Sequence, residues 1–440
     1  MDGPTIGLLF TLGMLALMFL RVPIAVAMLL AGGVGYVTLA GFTPFLASLK
    51  TGPYFQLSND SFTVIPLFLL MGFLASRAGL SRRIFDTANA FLGHLRGGLC
   101  IAAIGGCAFF GAICGSSLAT AATMGQVALP EMRRYGYDGA LATGTLAAGG
   151  TLGILIPPSI PLIVYAILAE QNIAKLFVAA FVPGILATLG YMLAVAVTVR
   201  IRRGSGPAAP RSSWRQRGCA LVRFLPVAVL FVLVLGGIYS GAFTPTEAAA
   251  IGAAGVAFIA LFGRGPKLVL FRQSLVETAI ASGMIFLILI GADVFSSFVA
   301  LSGLPQALAQ WIVESGFSPM TVLLAILLLY LVMGCLMDAL SMILLTVPIF
   351  FPVIIALDFG LSVEETAIWF GILVLIVVEV GLITPPVGLN VFVINKIAGD
   401  VPMRQTFKGI VPFLISDFLR VALLLSFPVL CYGLIYWLGW

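Results

Sequence analysis

Charge is what this 440-residue sequence has least of: Asp, Glu, Lys and Arg together make up 9%, against 61% hydrophobic residues. A soluble domain carries roughly a quarter charged residues, so a chain of this size cannot cover a water-facing surface. Histidine occurs once, at His94, which excludes the paired-histidine HExxH site of a metalloprotease; it lies in a basic amphipathic stretch and reads as a surface residue. The six cysteines contain no CxxC pair. Cys100, Cys107 and Cys114 lie on one apolar run and read as packing residues rather than redox or metal groups. No GxxxxGK[ST] phosphate loop exists, nor a soluble segment large enough to hold ATP, which argues against a primary pump. No general base is evident near Ser116 or Ser117, as a serine-type enzyme requires. Alternating barrel strands are missing too. No Lys or Arg precedes the first apolar run, 5–20, and no small-residue cleavage site follows it, so this run reads as a retained helix rather than a signal peptide.

Long apolar runs are abundant. A stretch of ~20 apolar residues crosses a bilayer as a helix, and such stretches fall at 5–20, 22–40, 62–79, 139–170, 176–199, 223–240, 246–263, 274–298, 364–396 and 409–438. Two further segments, 97–132 and 319–356, are too long for one helix and carry Gly or Asp near the middle. Each is expected to be a hairpin that enters and leaves on one side; a full double crossing gives the same parity. Alternating the loops puts every Lys and Arg except Lys50, Lys175 and Arg420 on one side, including Arg21, Arg77, Arg133, Arg264 and the cluster from Arg200 to Arg223. By the positive-inside rule that side is cytoplasmic and both termini are periplasmic. This placement also removes the nucleic-acid reading that a net charge of +6 invites.

The sequence therefore predicts an all-α polytopic membrane protein of two inverted-topology repeats. Each repeat has five spans, one re-entrant hairpin and one helix broken at Pro-Pro. The first repeat is 1–203, with its hairpin at 97–132 and broken helix at 139–170. The second is 217–440, with its hairpin at 319–356 and broken helix at 364–396. Between them, 204–216 is rich in Gly, Pro, Ser and Arg and reads as a cytoplasmic linker, expected to accept lengthening near Ala208. The segment "FTPFLASLK" is amphipathic enough to lie on the membrane surface.

The breaks are "GILIPP" (153–158) and "GLITPP" (381–386). Proline removes an amide donor and disfavours helix in the residue before it. Broken helices at equivalent places of inverted halves mark a transporter's binding site, because freed carbonyls coordinate cations and half-helix N-termini favour anions. A simple kink is the competing reading. The hairpin segment "GAICGSSLATAATMG" offers Ser116, Ser117, Thr120 and Thr123 as hydroxyls for a cation or a carboxylate, or else as small packing residues. In "MDALSMILLT", Asp338 is an intramembrane carboxylate: a sodium ligand, a proton carrier, or the partner of a helix end, with Ser341 beside it. Asn390 falls in the first turn after the second break and is a candidate polar contact for ion or substrate. Glu379 and Asp293 are buried-charge candidates without an assigned role. Glu247 follows "FTPT", where Thr244 or Thr246 is placed to cap a helix, and reads equally as local stabilisation or as an interacting charge.

The motifs "GSSLATAATMGQVALPEM", "GTLGILIPPSIPLIVYA", "FTPTEAAAIGA" and "EVGLITPPVGLNVFVI", in this order, resemble the large membrane subunit of the tripartite ATP-independent periplasmic (TRAP) transporters, within the ion transporter superfamily. The resemblance implies an elevator-type importer in the bacterial inner membrane, driven by a sodium gradient. It implies a small four-helix membrane subunit and a periplasmic binding protein that delivers an organic acid, of dicarboxylate, sugar-acid or keto-acid class. It also implies two Na+ sites where hairpin tips meet break loops: one at Gly115, Ser116, Ser117, Gly150, Thr151, Gly153 and Pro157, the other at Asp338, Ser341, Thr384, Pro385 and Gly388. The first break has Ile156 where the second has Thr384, so carbonyls carry more of the first site. With no four-helix domain before Thr5, the sequence reads as the unfused form. A stand-alone sodium/anion symporter, needing no binding protein, is the alternative.

Overall fold

A computed structural model describes residues 2–262 and 266–440; Arg264 lies outside them. All regular structure among the described residues is helical. The first half contains α1 (Gly3–Phe19), α2 (Ile24–Ala40), α3 (Phe42–Leu57), α4 (Val64–Arg77), α5 (Leu80–Leu92), α6 (Gly98–Cys114), α7 (Ser117–Arg134), α8 (Gly139–Leu155), α9 (Ile160–Leu168) and α10 (Ile173–Ile201). The second contains α11 (Trp214–Tyr239), α12 (Pro245–Leu261), α13 (Lys267–Ser302), α14 (Leu304–Glu314), α15 (Pro319–Gly334), α16 (Ala339–Ile355), α17 (Val363–Ile383), α18 (Leu389–Ala398), α19 (Met403–Ser426) and α20 (Val429–Trp437).

Many helix starts carry their own signal. Ser213 with Gln216, Thr244 with Glu247 and Ser362 with Glu365 form capping boxes that open α11, α12 and α17, each satisfying two otherwise unpaired backbone amides. Glu247 is thereby placed: its carboxylate accepts from the Thr244 amide at 2.8 Å, a helix-start role.

Two helices form the centre. Every residue of α8 from Ala140 to Leu155 and of α17 from Thr366 to Ile383 is buried, the state expected of a helix that is apolar all round. Close packing on them depends on glycine. In the first half Gly111 of α6 lies against the backbone of Gly153 in α8; in the second, Gly334 of α15 lies against Gly381 of α17. A Cβ on Gly381 would sit 2.6 Å from the Gly334 Cα, so neither position admits a side chain without backbone displacement. The outer helices pack similarly: a Cβ on Gly32 of α2 would come 2.7 Å from the Phe295 Cα of α13. Helices in lipid gain little from apolar burial and associate through such contacts.

Among the described residues five helices, α10, α11, α13, α17 and α19, are long and apolar enough to span a bilayer, and the pairs α4–α5 and α8–α9 add two more if each bent pair is one span. Others among the ten expected spans are shorter; α1, α2 and α12 have 17 residues each, about 25 Å at the helical rise. The expected span 274–298 lies inside α13, whose 36 residues run about 54 Å. The last expected span, 409–438, is interrupted by Pro428 into α19 and α20. The segment 97–132 is two helices that turn at Gly115–Ser116, and 319–356 is two that turn between Gly334 and Ala339. "FTPFLASLK" is the start of α3, where Phe42, Leu46 and Leu49 are exposed at helical spacing. Exposed Val222, Val229 and Val232 on α11 present an outward apolar face that suits lipid.

Loops expected on the same side touch one another. Arg133 binds the Asp400 carboxylate and the Ala398 carbonyl, and Arg77 binds Gln273 at 2.5 Å, all within the basic set of loops. On the opposite set, Lys175 pairs with Glu364 at 2.5 Å.

The linker is not free. Gly97 donates to the Gly206 carbonyl at 2.9 Å, Asp138 to Ser205 at 2.9 Å, and Ala209 to Gly93 at 2.9 Å; α11 already begins at Trp214, inside the expected 204–216 segment. Three backbone hydrogen bonds tie 205–209 to the turns before α6 and α8, so the expected lengthening near Ala208 falls on a tethered stretch. A short Gly-Ser insertion between Gly206 and Pro207 is expected to lower the melting temperature of the purified protein, each lost bond costing ~0.5–1.5 kcal/mol. The same insertion after Arg211 is expected to leave it unchanged. Equal melting of the two variants contradicts the assignment.

Candidate functional site

The two hairpin turns and the first break converge on one cavity. Helix α6 ends on Gly115, which takes the left-handed conformation (φ 64°) and donates its amide to Gly111 at 2.7 Å. Only glycine adopts this conformation without strain, and its Cα faces the Pro158 carbonyl and Ile160. Ser116 then caps α7, its Oγ accepting from the Ala119 amide at 3.4 Å. Across the first break, Ile156 is extended and Ser159 caps α9 by accepting from Leu162 at 3.4 Å. In the second hairpin Asp338 caps α16: one oxygen accepts from the Ser341 amide at 3.2 Å and the other from the Ser341 hydroxyl.

These capped starts of α7, α9 and α16 all line one cavity of about 200 Å³, through Ser116–Ala119, Ile160–Pro161 and Asp338–Leu340. Its other wall is Gly72 and Phe73 of α4 with Met284 and Ile285 of α13. Each helix N-terminus carries about half a positive charge and unpaired amides, so three converge where one carboxylate, Asp338, supplies negative charge. Such a pocket can hold an anion, a cation beside Asp338, or both together.

Next to it lies a buried polar layer. Asn390, fully buried, donates from Nδ2 to Ser117 Oγ at 2.6 Å and to the Ala147 carbonyl at 3.2 Å. This joins the second break's outgoing helix α18 to the first hairpin and α8. Asn390 Oδ1 and Thr120 Oγ1 are buried without a hydrogen-bond partner among the described residues. Ser117 and Thr120 stand one turn apart on α7 and share a face. Thr120 Oγ1 lies against Gly153 with Cys114 as its polar neighbour; a buried oxygen without a partner requires an explanation, and a hard cation, which takes oxygen ligands, is one.

Among the remaining expected site residues, Gly153 lies with the first hairpin, against the Ser116 carbonyl and Thr120, and Gly150 permits contact with Ala121 of α7; the others are dispersed. Thr151 turns away from the hairpin, its hydroxyl meeting the Ala148 carbonyl at 2.7 Å and Tyr191 Oη at 3.1 Å. Pro157 is buried in the first break, whereas Pro385 is exposed in the second; both Pro-Pro peptide bonds are cis. Thr384 donates its hydroxyl to the Val380 carbonyl at 2.6 Å, and Gly388 (φ 59°) starts α18; neither Thr384, Pro385 nor Gly388 lines the cavity. Asp293 is half-buried in α13 against Gly52 of α3, outside the cavity lining. Glu379 is fully buried beside Arg420. The sequence reading missed Tyr191, Asp417 and the burial of Arg420; an Asp-x-x-Arg pair inside the apolar run 409–426 was the available signal, since charges three apart on a helix are neighbours.

Residues 11–430 match the model of the tripartite ATP-independent periplasmic transporter family, DctM component. Among curated proteins the chain is 40% identical to the C4-dicarboxylate TRAP transporter large permease protein DctM of Pseudomonas aeruginosa, covering 92% of this chain and 93% of that one. It is 31% identical to the sialic acid TRAP transporter large permease protein SiaM of Vibrio cholerae, covering 94% and 95%. Among solved structures, the Alcanivorax borkumensis YdaH transporter, described as having an unusual topology, aligns over 91% of this chain and 90% of that chain with a TM-score of 0.61 at 16% identity, a likeness of fold.

Asn390→Ala is expected to lower stability by ~1–3 kcal/mol, the cost of a buried bond removed, read as a lower melting temperature. Asn390→Asp is expected to be worse, because it sets a carboxylate against the Ala147 carbonyl. If Asn390→Asp melts at or above Asn390→Ala, the hydrogen-bond assignment is wrong.

Proposed function

The chain belongs to the DctM component family of the tripartite ATP-independent periplasmic transporters, and we propose that it is the large membrane subunit of a sodium-driven importer of an organic acid. A periplasmic binding protein delivers the acid, and a small four-helix membrane subunit completes the complex in the bacterial inner membrane. The observation that carries this reading is the convergence of three helix N-termini and the Asp338 carboxylate on one cavity. The N-termini suit a substrate carboxylate, and Na+ between it and Asp338 would balance the charge. Thr120 Oγ1 and Asn390 Oδ1, the unsatisfied acceptors, offer a second Na+ position. The named substrates of the relatives, C4-dicarboxylates and sialic acid, are carboxylic acids, and that supports the same class here.

Alternating access follows an elevator in this reading. The hairpins bring Ser116, Ser117 and Asp338 and the broken helices Ile154, Ile160 and Leu382 to a largely apolar cavity, while α4 and α13 form the wall against which that unit slides. Two matched glycine contacts, Gly111 with Gly153 and Gly334 with Gly381, support descent of the two halves from one inverted unit.

The test is uptake into proteoliposomes holding this chain and the small subunit, with the binding protein loaded with a labelled organic acid. Uptake is expected only with both the binding protein and an inward sodium gradient; uptake of free acid without the binding protein would favour a stand-alone sodium/anion symporter. Asp338→Asn is expected to cut sodium-driven uptake at least about tenfold, the effect of ~1.4 kcal/mol, with expression intact. Unchanged uptake in that variant refutes the ligand role.

A further inference from the structure

A buried charge cluster outside the cavity links the two halves of the core. Glu379 lies in α17, two residues before the second break motif; Asp417 and Arg420 lie in α19; Tyr191 lies in α10. Side-chain exposures are 0% for Glu379, 1% for Asp417 and 4% for Arg420. Arg420 donates to Asp417 Oδ1 at 2.9 Å, and Tyr191 Oη donates to Asp417 Oδ2 at 2.9 Å. Tyr191 also meets Thr151, two residues before the first break motif, at 3.1 Å. Asp417 is thus fully served. Glu379 stands 3.7 Å from Arg420, and neither of its oxygens makes a well-formed hydrogen bond among the described residues; the Leu155 backbone of α8 is its other polar neighbour.

The charged and titratable groups facing Glu379 are Arg420 and Asp417 from α19 and Tyr191 from α10. One guanidinium therefore stands against two carboxylates. Its Nη2 lies nearer Asp417 while its Nε and Nη1 have no hydrogen-bond partner among the described residues, and with both carboxylates ionised the cluster would hold one more negative charge than positive. Burying such a charge costs several kcal/mol, and the usual resolution is that the group neutralises.

We propose that Glu379 is a proton-binding site: it takes one proton from water onto a carboxylate oxygen, and the cluster is then neutral as Asp417⁻, Arg420⁺ and Glu379–COOH. This assignment does not depend on the transported substrate. It places a bound proton on α17, two residues before the second break motif.

Infrared spectroscopy of the lipid-reconstituted full chain at neutral pH tests this. The wild-type spectrum is expected to hold a carboxylic-acid C=O band that is lost in Glu379→Gln with no loss of carboxylate bands. Loss of carboxylate bands instead overturns the proposal. Should Glu379→Gln fail to fold, wild-type protein with ¹³C-labelled glutamate carboxyls decides: the acid band must shift with the isotope, and the lack of a shifting acid band refutes the site. In Asp417→Asn, Glu379 becomes the carboxylate nearest Arg420 and is expected to ionise, so the acid band disappears there as well. Its persistence in Asp417→Asn would contradict the charge balance.

Discussion

A backbone amide or carbonyl without a partner has no water to turn to inside a bilayer, and each costs several kcal/mol. This chain interrupts its helices at four places in its middle and must answer that constraint at each. At three of them the answers are local side chains and a glycine: Gly115 closes α6, Ser116 opens α7, Ser159 opens α9, and Asp338 opens α16; at the second break α18 starts on Gly388 with no side-chain cap. The interrupted helices must also be covered, and α8 and α17 accordingly lie fully enclosed. Enclosure at that density needs backbones that nearly touch, hence the glycine pairs. The cavity lies where three of these helix starts meet.

The halves share this frame but not its chemistry. The first hairpin is capped by a neutral serine and the second by a carboxylate. The first break is buried and carries Ile156; the second is exposed and carries Thr384, whose hydroxyl is spent on its own helix. In the proposed function, the neutral hairpin contributes amides and hydroxyls to an anion, and the charged one supplies the counterweight a cation requires. Asn390 crosses between them by binding Ser117, so the second break reaches the first hairpin through α18 rather than through its own loop.

Much of this was legible in the sequence because it is written locally. Pro-Pro pairs, Gly115, Asp338 and the capping Thr244–Glu247 each impose a conformation on their immediate neighbours, and helix ends fall where those residues predict. What depends on tertiary placement was not legible. The direction of the Thr151 side chain, toward Tyr191 rather than the hairpin, is decided by packing around α8. The tethering of 205–209 rests on backbone groups, which composition does not reveal. The cluster of Glu379, Asp417 and Arg420 joins residues from two helices, so Glu379 was legible as a buried charge while its partners were not, the Asp417–Arg420 spacing being the one signal the sequence carried.

The most direct measurement is a structure of the membrane complex in sodium with saturating organic acid. The account predicts a carboxylate seated between the starts of α7, α9 and α16, with cation density beside Asp338. Acid bound elsewhere, with this cavity holding neither anion nor cation, would contradict it.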